Sequence, residues 1–255
     1  MSSALIYGHT GAIGKPLLRL LLASPHFARV TAIGRRELPT ADLPNPEKLT
    51  QHVVDFENLE PSRAVFKGHQ YAFCAFGTTR KDAGSAEAFK RIDMEYVLRA
   101  ARLVADENKV GETSDVHFLY VSSQGSNINS PFLYPQVKGQ IEHDLTTYGF
   151  RRVSIFNPAM LEVAEPRPSA RFGEKVILAV LPAIKYISPT GVSVPVGDVA
   201  KAMVVVATGA AEKGTPATPA EAVRFVNNQE IHQLAKESPD APAPPAAAAP
   251  APPQA

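Results

Sequence analysis

The chain has one cysteine and no tryptophan in 255 residues. A lone Cys74 excludes an intramolecular disulfide and a cysteine-rich zinc site, and it fits a reducing compartment. Charge of either sign is not in excess, since the net charge is +1 and the basic residues are scattered. Nothing in that balance marks a nucleic-acid or anionic-membrane surface, so the expected ligand is small. Long hydrophobic runs are missing too. The longest, "VILAVLPAI", falls well short of the roughly 18 residues a membrane span requires, and no transmembrane segment is expected. The first predicted strand begins within a few residues of Met1, which leaves no room for a leader and makes the cytoplasm the expected location.

What remains is enough apolar residue, 45% of the chain, to fill a sizeable core. Short β-branched or aromatic runs at 4–7, 29–33, 49–54, 71–75, 116–121 and 152–156 alternate with segments of helical period. That alternation predicts a doubly wound α/β fold, a Rossmann-type parallel sheet. Helices are predicted from 12 to 23, stopped by Pro25, and along "SAEAFKRIDMEYVLRAARLVADEN", whose apolar residues recur every three or four positions. The rhythm breaks in a proline-rich insert, 158–195, where substrate contacts are expected. It resumes at "VGDVAKAMVVVATGA" with Asp198 as the predicted N-cap, then at "AVRFVNNQEIHQLAK" with one more strand and helix. Residues 1–237 read as one domain. The stretch 238–255, almost all proline and alanine, reads as a disordered tail.

Directly after the first strand comes "GHTGAIG", with Gly8, Gly11 and Gly14 spaced Gly-x-x-Gly-x-x-Gly and running into a helix. Glycines let the backbone approach a pyrophosphate closely, while Thr10, Ala12 and Ile13 lie where the helix N-terminus offers free amides and a positive dipole end. His9 and Thr10 are candidates for additional phosphate donors. At the end of the second strand, "AIGRRE" presents Arg35 and Arg36 where an NAD site would offer an acid to the ribose. Two guanidinium groups suit a 2′-phosphate and favour NADP(H), with Glu37 close enough to keep NAD(H) open. Asp55 and Phe56, after the third strand, are placed for the adenine, Asp55 being equally suited to cap the next segment. Gly77 and Thr78 follow the fourth strand at the carboxyl edge of the sheet, where such folds bind ligands. Cys74 reads as packing.

The fifth strand ends in "FLYVSSQGS", and "FLYPQVKGQIE" follows with Tyr134 and Lys138 one helical turn apart. Chance alone supplies a Tyr-x-x-x-Lys in roughly one of three chains of this composition, so the pair gains meaning only from its place. A strand-end serine followed by a helix opening on Tyr-x-x-x-Lys resembles the short-chain dehydrogenase/reductase superfamily. "IGRR", "VVDFENL", "FCAFGTTR", "RIDMEYVLRAA" and "FNPAML" resemble its atypical branch of Tat-interactive protein oxidoreductases and related fungal proteins, over residues 4–236.

That resemblance implies an NADPH-dependent oxidoreductase reducing a small carbonyl substrate. Tyr134 is then the proton donor, Lys138 favours its phenolate and holds the nicotinamide ribose, Ser123 (or Ser122, one register away) orients the carbonyl, and Pro158 with Ala159 flanks the nicotinamide. A free tyrosine, with pKa about 10, needs such a neighbour to work near neutrality. Pro135 is no obstacle in a first helical turn. Asp93 stands where many members carry an asparagine that holds a relay water. The branch also implies a second reading, an NADPH sensor acting through a protein partner, and for some fungal relatives a mitochondrial outer surface. An epimerase or dehydratase of nucleotide sugars uses the same scaffold, but the insert is short for such a substrate.

Overall fold

The computed structural model describes residues 2–78, 80–162, 191–212 and 219–238. Its centre is a sheet in which β1 (Ser2–Tyr7), β2 (Phe27–Gly34), β3 (Leu49–Val53) and β4 (Tyr71–Cys74) are followed by β5 (Lys109–Val110), β6 (Thr113–Val121), β7 (Phe150–Asn157) and, across the insert, β10 (Val223–Asn227). The spatial order is β10-β7-β6-β4-β1-β2-β3, every neighbouring pair is parallel, and β5 adds a short antiparallel piece beside β6. All six predicted strands are present, and the predicted seventh is β10. A separate parallel pair, β8 (Met160–Glu162) and β9 (Ser193–Pro195), brackets the insert, whose residues 163–190 lie outside the described residues, as does the predicted tail from 239 on.

Alternation along each strand sorts side chains into two cores. Ala4 and Ile6 of β1 face α1 (Gly14–Ala23) and α6 (Val196–Glu212), whereas Leu5 and Tyr7 face the layer of α4 (Tyr96–Glu107) and α5 (Leu133–Thr147). All four are fully buried, as a strand covered on both faces requires. The helix of 12–23 starts at Gly14, because Ala12 and Ile13 belong to the turn. The long helix is not uniform. It comprises α3 (Ala86–Lys90), capped by the Ser85 hydroxyl accepting from Ala88 N at 3.0 Å, a π-helical turn at Arg91–Glu95, and α4. One short helix, α2 (Arg80–Ala83), precedes it and another, α7 (Pro219–Ala222), precedes β10; α8 (Asn228–Glu237) closes the fold. Asp198 is not a cap: α6 springs straight from β9 at Val196, leaving Asp198 in the first turn, where it favours the helix dipole and lies 3.8 Å from His232.

Strand order reverses between β1 and β4, which opens a crevice at their carboxyl ends. Two glycines hold the walls of that region together. A Cβ on Gly8, whose φ is +84°, would lie 2.5 Å from the Ala75 carbonyl carbon. One on Gly139 would lie 2.3 Å from Ile128 N, so the loop after β6 rests directly on α5.

At the opposite end of the sheet, His117 of β6 is buried with Nε2 2.8 Å from Ser154 Oγ. Burial first, then the guanidinium groups of Arg152, Arg151 and Arg224, push its pKa down to about 3. The unfolded chain accepts this proton near pH 6.5, so the fold keeps its full stability above that pH and loses it as pH falls toward 3. Urea unfolding at pH 7 and pH 4 tests this: His117→Asn should shrink the drop between the two by about 3 kcal/mol.

Candidate active site

The β1–α1 turn is built on backbone contact. Gly11 N donates to the Gly8 carbonyl at 3.0 Å, and a Cβ on Gly14 would lie 2.0 Å from that same oxygen. No other residue fits at Gly8 or Gly14 without moving the turn. In the first turn of α1, Lys15 N donates to the Gly11 carbonyl at 3.0 Å and Leu17 N to the Ile13 carbonyl at 3.1 Å, and Pro16 carries no N–H, so the helix presents its positive dipole end rather than a row of free amides. His9, a candidate phosphate donor, lines the cavity described below; it is 1% exposed and packed on Gly34, where a Cβ would meet its ring at 2.6 Å. Burial lowers its pKa and so favours the neutral ring.

A cavity of about 460 Å³ opens here, walled by the glycine turn and Thr10, by Arg35 and Arg36, and by Gly77 and Thr78. Both arginines are exposed, and among the described residues neither guanidinium has an ion-pair partner. The turn, the helix start and two uncommitted cations fit a nucleotide diphosphate. Phe76, Ile92 and Asp82 also line the cavity. Asp55 and Phe56 do not. The Asp55 carboxylate accepts from Glu57 N at 2.9 Å, the capping role, and Phe56 is a core ring 5.1 Å from Phe76 and 5.7 Å from Tyr96. A larger cavity, about 680 Å³, lies toward the amino ends of β7 and β10 and contains none of the expected site residues.

Lys138 and Tyr134 share one face of α5, with Pro135 in its first turn. Tyr134 is 44% exposed and its ring centroid lies 5.9 Å from that of Phe89 and 5.9 Å from Lys138 Nζ. Lys138 is 3% exposed. Its ammonium lies 2.8 Å from Asp93 Oδ2 and donates to Tyr120 Oη at 3.0 Å. The Asp93 contact is an ion pair rather than an aligned hydrogen bond, and the other carboxylate oxygen accepts from the Thr78 amide at 2.5 Å. Burial opposes the charge on Lys138, but Tyr120, Asp93 and Tyr134 outweigh it and hold the pKa well above the ordinary lysine value.

A Cβ at Gly77 would lie 3.5 Å from Asp93 Oδ1 and 3.8 Å from Lys138 Nζ. Gly77 and Thr78 therefore belong both to the cavity wall and to the surroundings of the lysine. Cys74, beneath them, is fully buried, and burial raises its thiol to about 12, the packing role expected of it.

Ser122 is the last serine tied to the sheet, its amide donating to the Phe156 carbonyl at 2.8 Å and its side chain 5% exposed. Ser123 is half-buried one step beyond. The two hydroxyls approach Ser126 Oγ at 3.0 and 3.3 Å, respectively. Pro158 is buried and its carbonyl accepts from Gln124 N at 2.8 Å, while Asn157 donates to the Ser123 carbonyl at 3.1 Å, so the ends of β6 and β7 are stitched together. Ala159 N donates to Asn228 Oδ1 at 2.8 Å. Tyr120 was missed by sequence reasoning. Its signal was strand parity, since it shares with Phe118 the face of β6 that α5 covers.

A family model described as NAD(P)H-binding matches residues 8–147. The chain belongs to this family. Within the NAD(P)H-binding family it is 39% identical to rat Protein HTATIP2 over 201 residues, 79% of each chain. It is 31% identical to Protein FMP52-1, mitochondrial, of Scheffersomyces stipitis over 242 residues, 92% of this chain and 99% of that one. A short-chain type dehydrogenase/reductase from Mycobacterium ulcerans superposes with a TM-score of 0.63 at 17% identity over 90% of each chain, a likeness of fold. The match supplies what the cavity asks for, a nicotinamide cofactor. No described helix is long and apolar enough to cross a membrane.

The ion pair carries a stability consequence. Removing one partner of a buried pair strands the other charge, so Asp93→Ala should cost about 3–5 kcal/mol in urea unfolding at pH 7. Asp93→Ala/Lys138→Met, which removes both charges, should recover most of that loss.

Proposed function

We propose that the chain is an NADPH-dependent reductase of carbonyl compounds, working from Ser123, Tyr134 and Lys138 in one domain spanning residues 1–237. The observation that carries this reading is that Gly77 and Thr78 join the cofactor-sized cavity to the buried Lys138, one helical turn from an accessible Tyr134. The loop that walls the groove for the cofactor thus also packs around the lysine beside the proton donor.

Arg35 and Arg36 pair with the 2′-phosphate, which makes NADPH the preferred form. The glycine turn, with the amides of Ala12 and Ile13 in it and of Gly14 at the start of α1, takes the diphosphate. Bound NADPH supplies the hydride. Tyr134 gives its phenolic proton to the carbonyl oxygen, Ser123 donates a hydrogen bond to the same oxygen, and Lys138 turns its remaining donor toward the ribose and the phenol. Pro158 closes one side of the nicotinamide seat. Asp55, though turned to capping Glu57, keeps an exposed oxygen for the adenine amino group, and Phe56 contributes through its backbone.

The second reading, an NADPH sensor acting through a protein partner, draws support from the charge of Lys138 being matched by Asp93, which leaves less of it for chemistry. We place the work in the cytoplasm. The word mitochondrial in the fungal relative's name makes that compartment the alternative.

Two measurements test the proposal. Calorimetric titration should give NADPH at least about tenfold tighter binding than NADH, and Arg35→Ala/Arg36→Ala should abolish that preference while leaving NADH affinity within about twofold. Tyr134→Phe should lower carbonyl-dependent NADPH oxidation by at least about a hundredfold with cofactor affinity nearly unchanged. Equal turnover in the phenylalanine variant removes Tyr134 from the chemistry, and wild-type protein that binds NADPH but turns over no carbonyl favours the sensor.

A further inference from the structure

Lys138 is buried, and its neighbourhood is almost free of other charge. From β4, Cys74 faces it with a thiol that burial keeps neutral. Tyr7 of β1 and Tyr120 of β6 stand beside Cys74 and Lys138, both with pKa values raised, burial being the main cause. From α5 itself comes Tyr134, and from the π-helical turn comes Asp93, fully buried. Among the described residues Asp93 is therefore the one anion in contact with this lysine. A cation with an anion 2.8 Å away presents a dipole to its surroundings rather than a unit charge.

We propose that Asp93 is a positioning residue that sets the pH at which Tyr134 gains and loses its proton, by cancelling the Lys138 charge before the phenol feels it. The inference rests on the proposed reading of Tyr134 as proton donor only for its functional meaning; the electrostatic coupling stands on the ion pair. The π-helical turn is what makes the arrangement possible, since it widens the helix where Asp93 must reach Lys138 with one oxygen and the Thr78 amide with the other. Thr78 also lines the cavity, so the loop that walls the cofactor and the group that governs the lysine charge are one assembly. In the direction of alcohol oxidation, the phenolate oxygen takes the hydroxyl proton and NADP⁺ takes the hydride. The pH at which that rate rises reports the same property of Tyr134.

The test uses the full chain labelled with [ζ-¹³C]tyrosine, the Tyr134 signal being assigned by its loss in Tyr134→Phe. Asp93→Asn keeps an acceptor for the Thr78 amide while removing the charge. Its Tyr134 titration should move to lower pH by about one unit, and the rising limb of NADP⁺-linked alcohol oxidation should move with it. Asp93→Glu should restore the wild-type titration, which a purely structural role for the side chain does not require. An unmoved midpoint in folded Asp93→Asn overturns the proposal. If Asp93→Asn does not fold, Asp93→Asn/Lys138→Met decides: both charges are gone, so the midpoint should stay within about half a unit of wild type, and a larger shift overturns the cancellation. Should the midpoint move as expected while no carbonyl or alcohol is turned over, the coupling is upheld and the reductase reading is the one that fails.

Discussion

An ammonium group almost removed from water has to be answered. Lys138 sits at the junction of the helix that opens with Tyr134, the strand that ends in the two serines and the loop that follows β4, and its charge is tolerable there because Asp93 meets it. That requirement reaches outward. Asp93 comes within range through a π-helical turn, its second oxygen fixes the Thr78 amide, and Thr78 forms part of the cavity wall. Tyr120 takes another of the lysine's donors. The candidate active site is thus organised around satisfying one buried cation, and Thr78 of the cavity wall inherits its position from that solution.

Backbone proximity supplies the second constraint. The glycine turn does not need its glycines for a ligand alone. Gly8 lies against the end of β4 and Gly14 against Gly8 itself, distances at which no Cβ fits even in an empty site. Internal packing and close approach to a phosphate therefore make the same demand at the same positions. Gly139 plays the corresponding part on the other side, bringing the loop after β6 directly onto α5. The Asn127 amide, donating to the Pro135 carbonyl at 3.0 Å, holds that loop at the first turn of the helix.

Most of the fold was legible because its signals are local. Six short β-branched runs, the proline after Ala23 and the glycine triplet each report on a few neighbouring residues, and all six strands form where those runs lie. In several details a neighbour decided. Asp198 looked like a cap, but β9 feeds α6 directly and moves the start of the helix to Val196. His9 owes its place in the cavity lining to the bare backbone of Gly34, which provides a seat for its ring. The ring of Phe56 is held by Phe76 and Tyr96 from segments distant in sequence.

The sequence by itself determined the parallel α/β architecture, the crevice at the carboxyl ends of β1 and β4 and the spacing of Tyr134 and Lys138, because periodicity, glycine and proline act through the chain's own covalent geometry. Only the tertiary structure decided that Lys138 is paired with Asp93 and Tyr120, that Gly77 and Thr78 link this pair to the cavity, and that Arg35 and Arg36 stand on its wall with no ion-pair partner among the described residues. Those relations join residues from separate elements, and they exist because burial forces polar and charged groups to find partners wherever the packing brings them.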